Sequence, residues 1–133
     1  MPAADVNPIV LQAHKVQLDF INCGSLYTGF VGGRGSGKST ALAMKLYKKA
    51  MTQKGLYGMF APTFPLLSDT IQRVFLDIAK AHTHDFNQGK NLIRMKNGTE
   101  IICRSLDDPE HARGPSLRGA VWDEMSLCDQ KAF

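Results

Sequence analysis

No stretch of this sequence stays apolar for long. The roughly 18–20 uninterrupted apolar residues that cross a bilayer are not reached anywhere. The N-terminus also lacks the basic, apolar and small-residue succession of a secretory signal. Cysteine is scarce: Cys23, Cys103 and Cys128 are three in 133 residues, widely spaced and odd in number. That does not suggest a disulfide framework or a zinc knuckle and fits reduced thiols in a cytoplasmic protein. Repeats, low-complexity tracts and linkers are missing. Charge is not strongly one-sided either. Sixteen basic against 12 acidic side chains give a net +4 and a pI near 9.1, which permits nucleic-acid contact without demanding it. With 44% apolar residues the chain is not wholly disordered, and its length suits a single core.

What is present has α/β periodicity. Asn7-Pro8 is a cap followed by a first-turn proline, and Ile9, Ala13, Val16 and Phe20 recur at helical spacing. This predicts a helix from Pro8 to Asn22, ended by Gly24. Leu26 to Val31 reads as a short buried strand. A second helix is expected over Lys38 to Thr52, with Leu42, Leu46, Tyr47 and Ala50 inward and Gly55 closing it. Leu56 to Ala61 is an apolar strand, and Leu66 to Ala81 a continuous helix with Ile71, Val74, Phe75 and Ile78 inward. Leu92 to Met95 and Thr99 to Arg104 flank Asn97-Gly98, a two-residue hairpin signal. Ser105 to Arg118 is polar and turn-rich, and Gly119 to Trp122 is a last short strand. This order predicts an α/β sheet with some parallel pairing.

Gly32-Gly33-Arg34-Gly35-Ser36-Gly37-Lys38-Ser39 fits G-x-x-x-x-G-K-[ST], the P-loop, between an expected strand and an expected helix. Glycines let the backbone turn tightly and aim successive N–H groups at phosphate oxygens. The helix that follows points its N-terminal dipole at the same anion. Lys38 is placed to bridge the β- and γ-phosphates, and Ser39 to ligate Mg2+ through its hydroxyl. Thr40 completes the phosphate-binding set.

Ala120-Val121-Trp122-Asp123-Glu124 puts two carboxylates at the C-terminal end of a strand, the edge where open parallel α/β sheets gather ligands. Asp123 is expected to hold Mg2+ opposite Ser39. Glu124, turned the other way by strand alternation, is expected to polarise a water for in-line attack. Without the P-loop, such a pair would read as a strand ending in solvent. With it, the pair favours hydrolysis over phosphate transfer to an alcohol or acid.

Together these motifs resemble the large terminase subunit, the DNA-packaging motor of tailed bacteriophages, over Gln17 to Leu127. The P-loop, with Arg34 ahead of Lys38, is similar to that family's Walker A variant. Ala61-Pro62-Thr63-Phe64-Pro65-Leu66-Leu67 is similar to a segment after its second strand. Asp108-Pro109-Glu110-His111-Ala112-Arg113-Gly114-Pro115, leading into Leu117-Arg118-Gly119-Ala120-Val121-Trp122-Asp123-Glu124, is similar to its approach to Walker B.

The resemblance implies a P-loop NTPase of the additional-strand, catalytic-glutamate (RecA-like) type, truncated after the Walker B strand. It implies ATP and Mg2+ as ligands and hydrolysis that drives double-stranded DNA into a procapsid. A portal protein and a small terminase subunit are implied as partners, with a homo-oligomeric ring when intact, no membrane, and a place in the host cytoplasm rather than the mature virion. It gives Gln17 an adenine-recognising role, for which a side-chain amide can both donate and accept; the residue pattern alone allows a solvent-facing glutamine. It gives Arg34 a role in coupling hydrolysis, as finger or γ-phosphate sensor, where a loop ion pair is the plainer alternative. The division implied is an adenine-side helix over 1–24 and a P-loop core over 25–133, with the nuclease domain absent. Other readings are a helicase-like ATPase with the same core, or a fragment that binds nucleotide without productive turnover. The Walker B pair stands close to Phe133, so an exposed sheet edge and marginal stability are expected.

Weaker signals have plainer readings. Lys45, Lys48, Lys49 and Lys54 crowd one helix and its end; they read as a solvated face, with a DNA-facing patch as the alternative. Arg113 and Arg118 precede Walker B, where they can reach substrate. His82-Thr83-His84-Asp85 lacks further ligands for a metal. Trp122 reads as a packing residue, and Cys103 and Cys128 as unreactive thiols, although Arg104 adjoins Cys103.

Overall fold

The computed structural model describes residues 15–24, 37–106 and 116–123. The first helix, α1, runs Lys15–Asn22 and ends where the sequence places its end. Its expected start at Pro8, with Ile9, Ala13 and the side chain of Val16, lies outside the described residues, as does the strand expected over Leu26 to Val31. Gln17, Phe20 and Ile21 form the buried stripe of α1, one helical turn apart. They pack on α2, Lys38–Thr52, the helix predicted after the P-loop. Ala41, Met44, Leu46, Tyr47 and Ala50 of α2 are buried, while Leu42 sits at the rim of the core.

The lysine cluster on α2 is partly structural. The last carbonyls of any α-helix lack partners within it. Lys45 supplies them for α1: its Nζ donates to the carbonyls of Phe20 at 2.8 Å, Ile21 at 3.3 Å and Cys23 at 2.9 Å. The same ammonium lies 5.1 Å from the centre of the Phe20 ring, a cation–π contact. Burial draws its pKa below the ordinary lysine value. Lys48 Nζ donates to Asn22 Oδ1 at 2.7 Å. Two of the four lysines, Lys45 and Lys48, therefore fasten α1 to α2, a role that neither reading gave them, while Lys49 and Lys54 are exposed.

Strand β1 is Leu56–Ala61, as predicted. The single helix expected over Leu66 to Ala81 is instead divided into α3, Phe64–Asp69, and α4, Ile71–Ile78, followed by a 3₁₀ turn at Lys80–His82. The earlier start has a local cause. Thr63 Oγ1 accepts the N–H of Leu66 at 3.4 Å, and Pro65 in the first turn loses no helical hydrogen bond. The division falls at Thr70, whose backbone leaves the helical region at φ −118° and ψ −93°. Its hydroxyl also bonds back to the Leu66 carbonyl, a contact that bends helices. Ile71, Phe75 and Ile78 are nevertheless buried as the periodicity requires.

Strand β2, Thr83–Asn87, carries no apolar alternation and was not expected. It forms because the neighbouring strand β3, Leu92–Met95, offers it an antiparallel partner, and only Phe86 reaches the core. Among the described residues no group of three or more His, Cys, Asp or Glu side chains is placed to hold a metal, and His82 Nδ1 meets Tyr47 Oη at 3.2 Å. β3 and β4, Glu100–Ser105, form the expected hairpin. Its loop has three residues rather than two, because Met95 N donates to the Thr99 carbonyl at 2.8 Å and Gly98 N to the Met95 carbonyl at 3.0 Å. A two-residue turn over Asn97-Gly98 needs positive φ at both, and only Gly98, at +92°, has it. Asn97 is used otherwise: its Nδ2 donates to the Ala50 carbonyl at 2.9 Å, beside Thr99 Oγ1 at 3.1 Å, so the hairpin tip caps α2.

β5 is Gly119–Trp122, as predicted. The sheet order is β2–β3–β4–β1–β5, with β1 parallel to both β4 and β5 and the β2–β3–β4 part antiparallel. Tyr57, Met59, Ala61, Ile93, Ile101, Cys103 and Val121 face α2 and α4 in one core. On the opposite face Phe60 meets Trp122 with ring centres 5.2 Å apart, which is the packing role expected of Trp122. Burial pushes the Cys103 thiol from 9.0 to about 11, so it stays protonated and unreactive near neutrality. Parallel pairing brings the C-terminal ends of β1, β4 and β5 to one edge.

The Lys45 cap gives a direct test. Lys45→Met keeps the aliphatic stem and removes the donors, so it should cost about 1–2 kcal/mol in urea unfolding. Amide exchange should quicken in α1 more than elsewhere. Unchanged stability and exchange would mean that the ammonium contributes nothing to holding α1.

Candidate nucleotide-binding site

Gly37 is the turn from loop into helix. Its φ of +83° is left-handed, which glycine adopts at no steric cost. Its carbonyl accepts the Ala41 N–H at 2.9 Å, starting α2. The Gln17 Nε2 donates to that same carbonyl at 2.9 Å. Gln17 is 5% exposed, so it is not the solvent-facing glutamine that the residue pattern allowed. It joins α1 to the last residue of the glycine-rich loop.

Lys38, Ser39 and Thr40 make up the first turn of α2, and each is half-buried. A helix N-terminus leaves N–H groups without partners inside the helix and presents a positive dipole end, the elements of an anion site. At the C-terminal edge of the sheet, Asp123 continues β5 by donating its N–H to the Phe60 carbonyl at 2.9 Å. The Asp123 side chain is buried, with 3% of the residue exposed. Ser39 Oγ donates to Asp123 Oδ2 at 2.7 Å, across 84 positions of sequence. A second hydroxyl, Thr70 Oγ1, lies 3.2 Å from the same oxygen.

The structure thus brings together Gln17, Gly37, Ser39 and Asp123, with Lys38 and Thr40 alongside. Gly32, Gly33, Arg34, Gly35, Ser36 and Glu124 lie outside the described residues. The donor set fits a divalent cation: a hydroxyl and a carboxylate, both hard oxygens, already adjacent at the mouth of an anion site. When Ser39 donates its proton to Asp123, its oxygen lone pairs remain available to a metal. Sequence reasoning missed Thr70 and read Lys45 only as part of a charged helix face. Lys45 carried no signal beyond its charge. Thr70 had one, since Ser68-Asp69-Thr70 inside a helical pattern is a cluster of backbone-competing side chains.

A partly buried, charge-assisted hydrogen bond of this kind contributes about 1.5–3 kcal/mol. A double-mutant cycle with Ser39→Ala and Asp123→Ala, read by urea unfolding without nucleotide, should return a coupling energy in that range. Strict additivity would show that the two motifs are neighbours without interacting.

Residues 30–133 match the family model described as "Terminase large subunit, T4likevirus-type, N-terminal". No curated protein matches the chain. Among solved structures, the large terminase ATPase domain of Thermus phage P74-26 is similar with a TM-score of 0.73 and 19% sequence identity. The match covers 96% of this chain and 60% of that one, so this chain spans less than two thirds of that domain. The likeness shows the fold, an α/β architecture like that of this ATPase domain. With the glycine loop, the Ser39–Asp123 contact and the match over residues 30–133 in hand, the chain belongs to the T4-type terminase large subunit family, in its N-terminal region.

Proposed function

We propose that the chain is the nucleotide-binding and hydrolysing part of a DNA-packaging motor: it binds ATP with Mg2+ and hydrolyses it to drive double-stranded DNA into a procapsid. The observation that carries this reading is the Ser39–Asp123 hydrogen bond. It joins the glycine-rich loop to the end of the Walker B strand, as a metal-dependent phosphate site requires. The family match supports an ATPase in general.

In this reading the amides of Gly32 to Gly37 and the start of α2 hold the phosphates, and Lys38 spans the β- and γ-oxygens. Ser39 and Asp123 hold Mg2+, which neutralises phosphate charge when bound. Glu124 orients and polarises the attacking water, and Arg34 offsets charge as the γ-phosphoryl departs. Gln17 recognises adenine. Because its amide also bonds Gly37, base occupancy and loop position are joined through one side chain. The division into an adenine-side segment over 1–24 and a core over 25–133 belongs to the same proposal. So do a portal protein, a small terminase subunit and further copies of the subunit as partners, and action in the host cytoplasm.

The test is steady-state ATPase activity with and without double-stranded DNA, for the native chain and for Glu124→Ala. Turnover that needs Mg2+, rises with DNA and falls by about 10²–10⁴-fold in the variant supports the proposal. Nucleotide binding without turnover would overturn the enzymatic part and leave a binding module.

A further inference from the structure

Thr70 stands where sequence periodicity calls for an uninterrupted helix, yet the helix is divided there. The backbone hydrogen bonds persist on both sides: Thr70 N donates to the Leu66 carbonyl at 3.2 Å, and Val74 N to the Thr70 carbonyl at 3.1 Å. Only the dihedral angles and the side chain depart from a regular helix. α3 packs on β1 and β4, and the division sets the Thr70 hydroxyl 3.2 Å from Asp123 Oδ2. That carboxylate oxygen already receives Ser39 Oγ at 2.7 Å. The Thr70 hydroxyl has a single proton and two acceptors in reach, Asp123 Oδ2 and the Leu66 carbonyl. The proton is shared: the contact to the Leu66 carbonyl divides the helix, and the longer one reaches Asp123 Oδ2, a buried carboxylate that gains from every donor facing it.

We propose that Thr70 is a positioning residue for the metal-holding carboxylate. Its hydroxyl, set beside that of Ser39 on Asp123 Oδ2, fixes the carboxylate orientation that the Mg2+–nucleotide complex needs. The proposal rests on the reading of Ser39 and Asp123 as the Mg2+ site. Groups that orient a metal-holding side chain from behind typically tune metal affinity by 10–100-fold. A side chain that merely terminated α3 would have no such effect.

The test separates metal-dependent from metal-independent nucleotide binding. A fluorescent ATP analogue is titrated into the full chain in excess Mg2+ and again in EDTA, for the native chain, Thr70→Val and Thr70→Ser. Thr70→Val, close in shape but without the hydroxyl, is expected to weaken binding in Mg2+ by roughly tenfold or more, to leave binding in EDTA unchanged, and to be rescued by Thr70→Ser. Thr70→Ala supplies the same reading if the valine variant fails to fold. Equal affinities for native and variant chains in Mg2+, or equal losses in Mg2+ and EDTA, would overturn the positioning role. If the native chain binds no more tightly in Mg2+ than in EDTA, the Mg2+ site itself falls, and Thr70's role with it.

Discussion

A carboxylate buried at the end of a parallel strand must be met by hydrogen-bond donors, and Asp123 is that carboxylate here. Ser39 reaches it from the first turn of α2, and Thr70 from the junction of α3 and α4. Its own N–H ties it to β1. Three elements thus meet on one residue, two of them on its side chain. The parallel registry of β1 with β5 puts it at that edge, since any strand pointing the other way would carry it to the opposite end of the sheet.

A second linkage runs through α1. Lys45 holds the carbonyl end of that helix, and Gln17, earlier on the same helix, holds the Gly37 carbonyl. Both contacts lead to α2, so the glycine-loop junction is braced from one side by α1 and from the other by Asp123. The α1 brace adds to the packing of Phe20 and Ile21 on α2. Each brace is a small number of polar contacts set in partly dry surroundings, where hydrogen bonds are strong and an unmade one is costly.

Much of this was legible in the sequence, and the reasons differ by element. Strand β1 and helix α2 announce themselves by apolar spacing, and both stand where predicted. The P-loop and the Asp123-Glu124 pair are legible because chemistry fixes their spacing and context. The division at Thr70 was not legible from periodicity, since the buried face continues through it and only a hydroxyl-to-carbonyl contact interrupts the helix. β2 was hidden because its backbone, rather than an apolar face, earns its place in the sheet. The Asn97-Gly98 signal gave the hairpin but not its loop length, because the Asn97 side chain is committed to the end of α2. Gln17 was ambiguous for a similar reason: its burial depends on a partner helix that no local pattern names.

The central claim is that Ser39 and Asp123 together form the cation site of a nucleotide-binding centre. It is tested most directly by titrating Mn2+ into the chain with ATP and following the free ion by electron paramagnetic resonance. The account predicts a nucleotide-dependent site in the native chain that weakens by roughly 10–100-fold or more in Asp123→Asn and in Ser39→Ala. Equal Mn2+ binding by the native chain and both variants would contradict it.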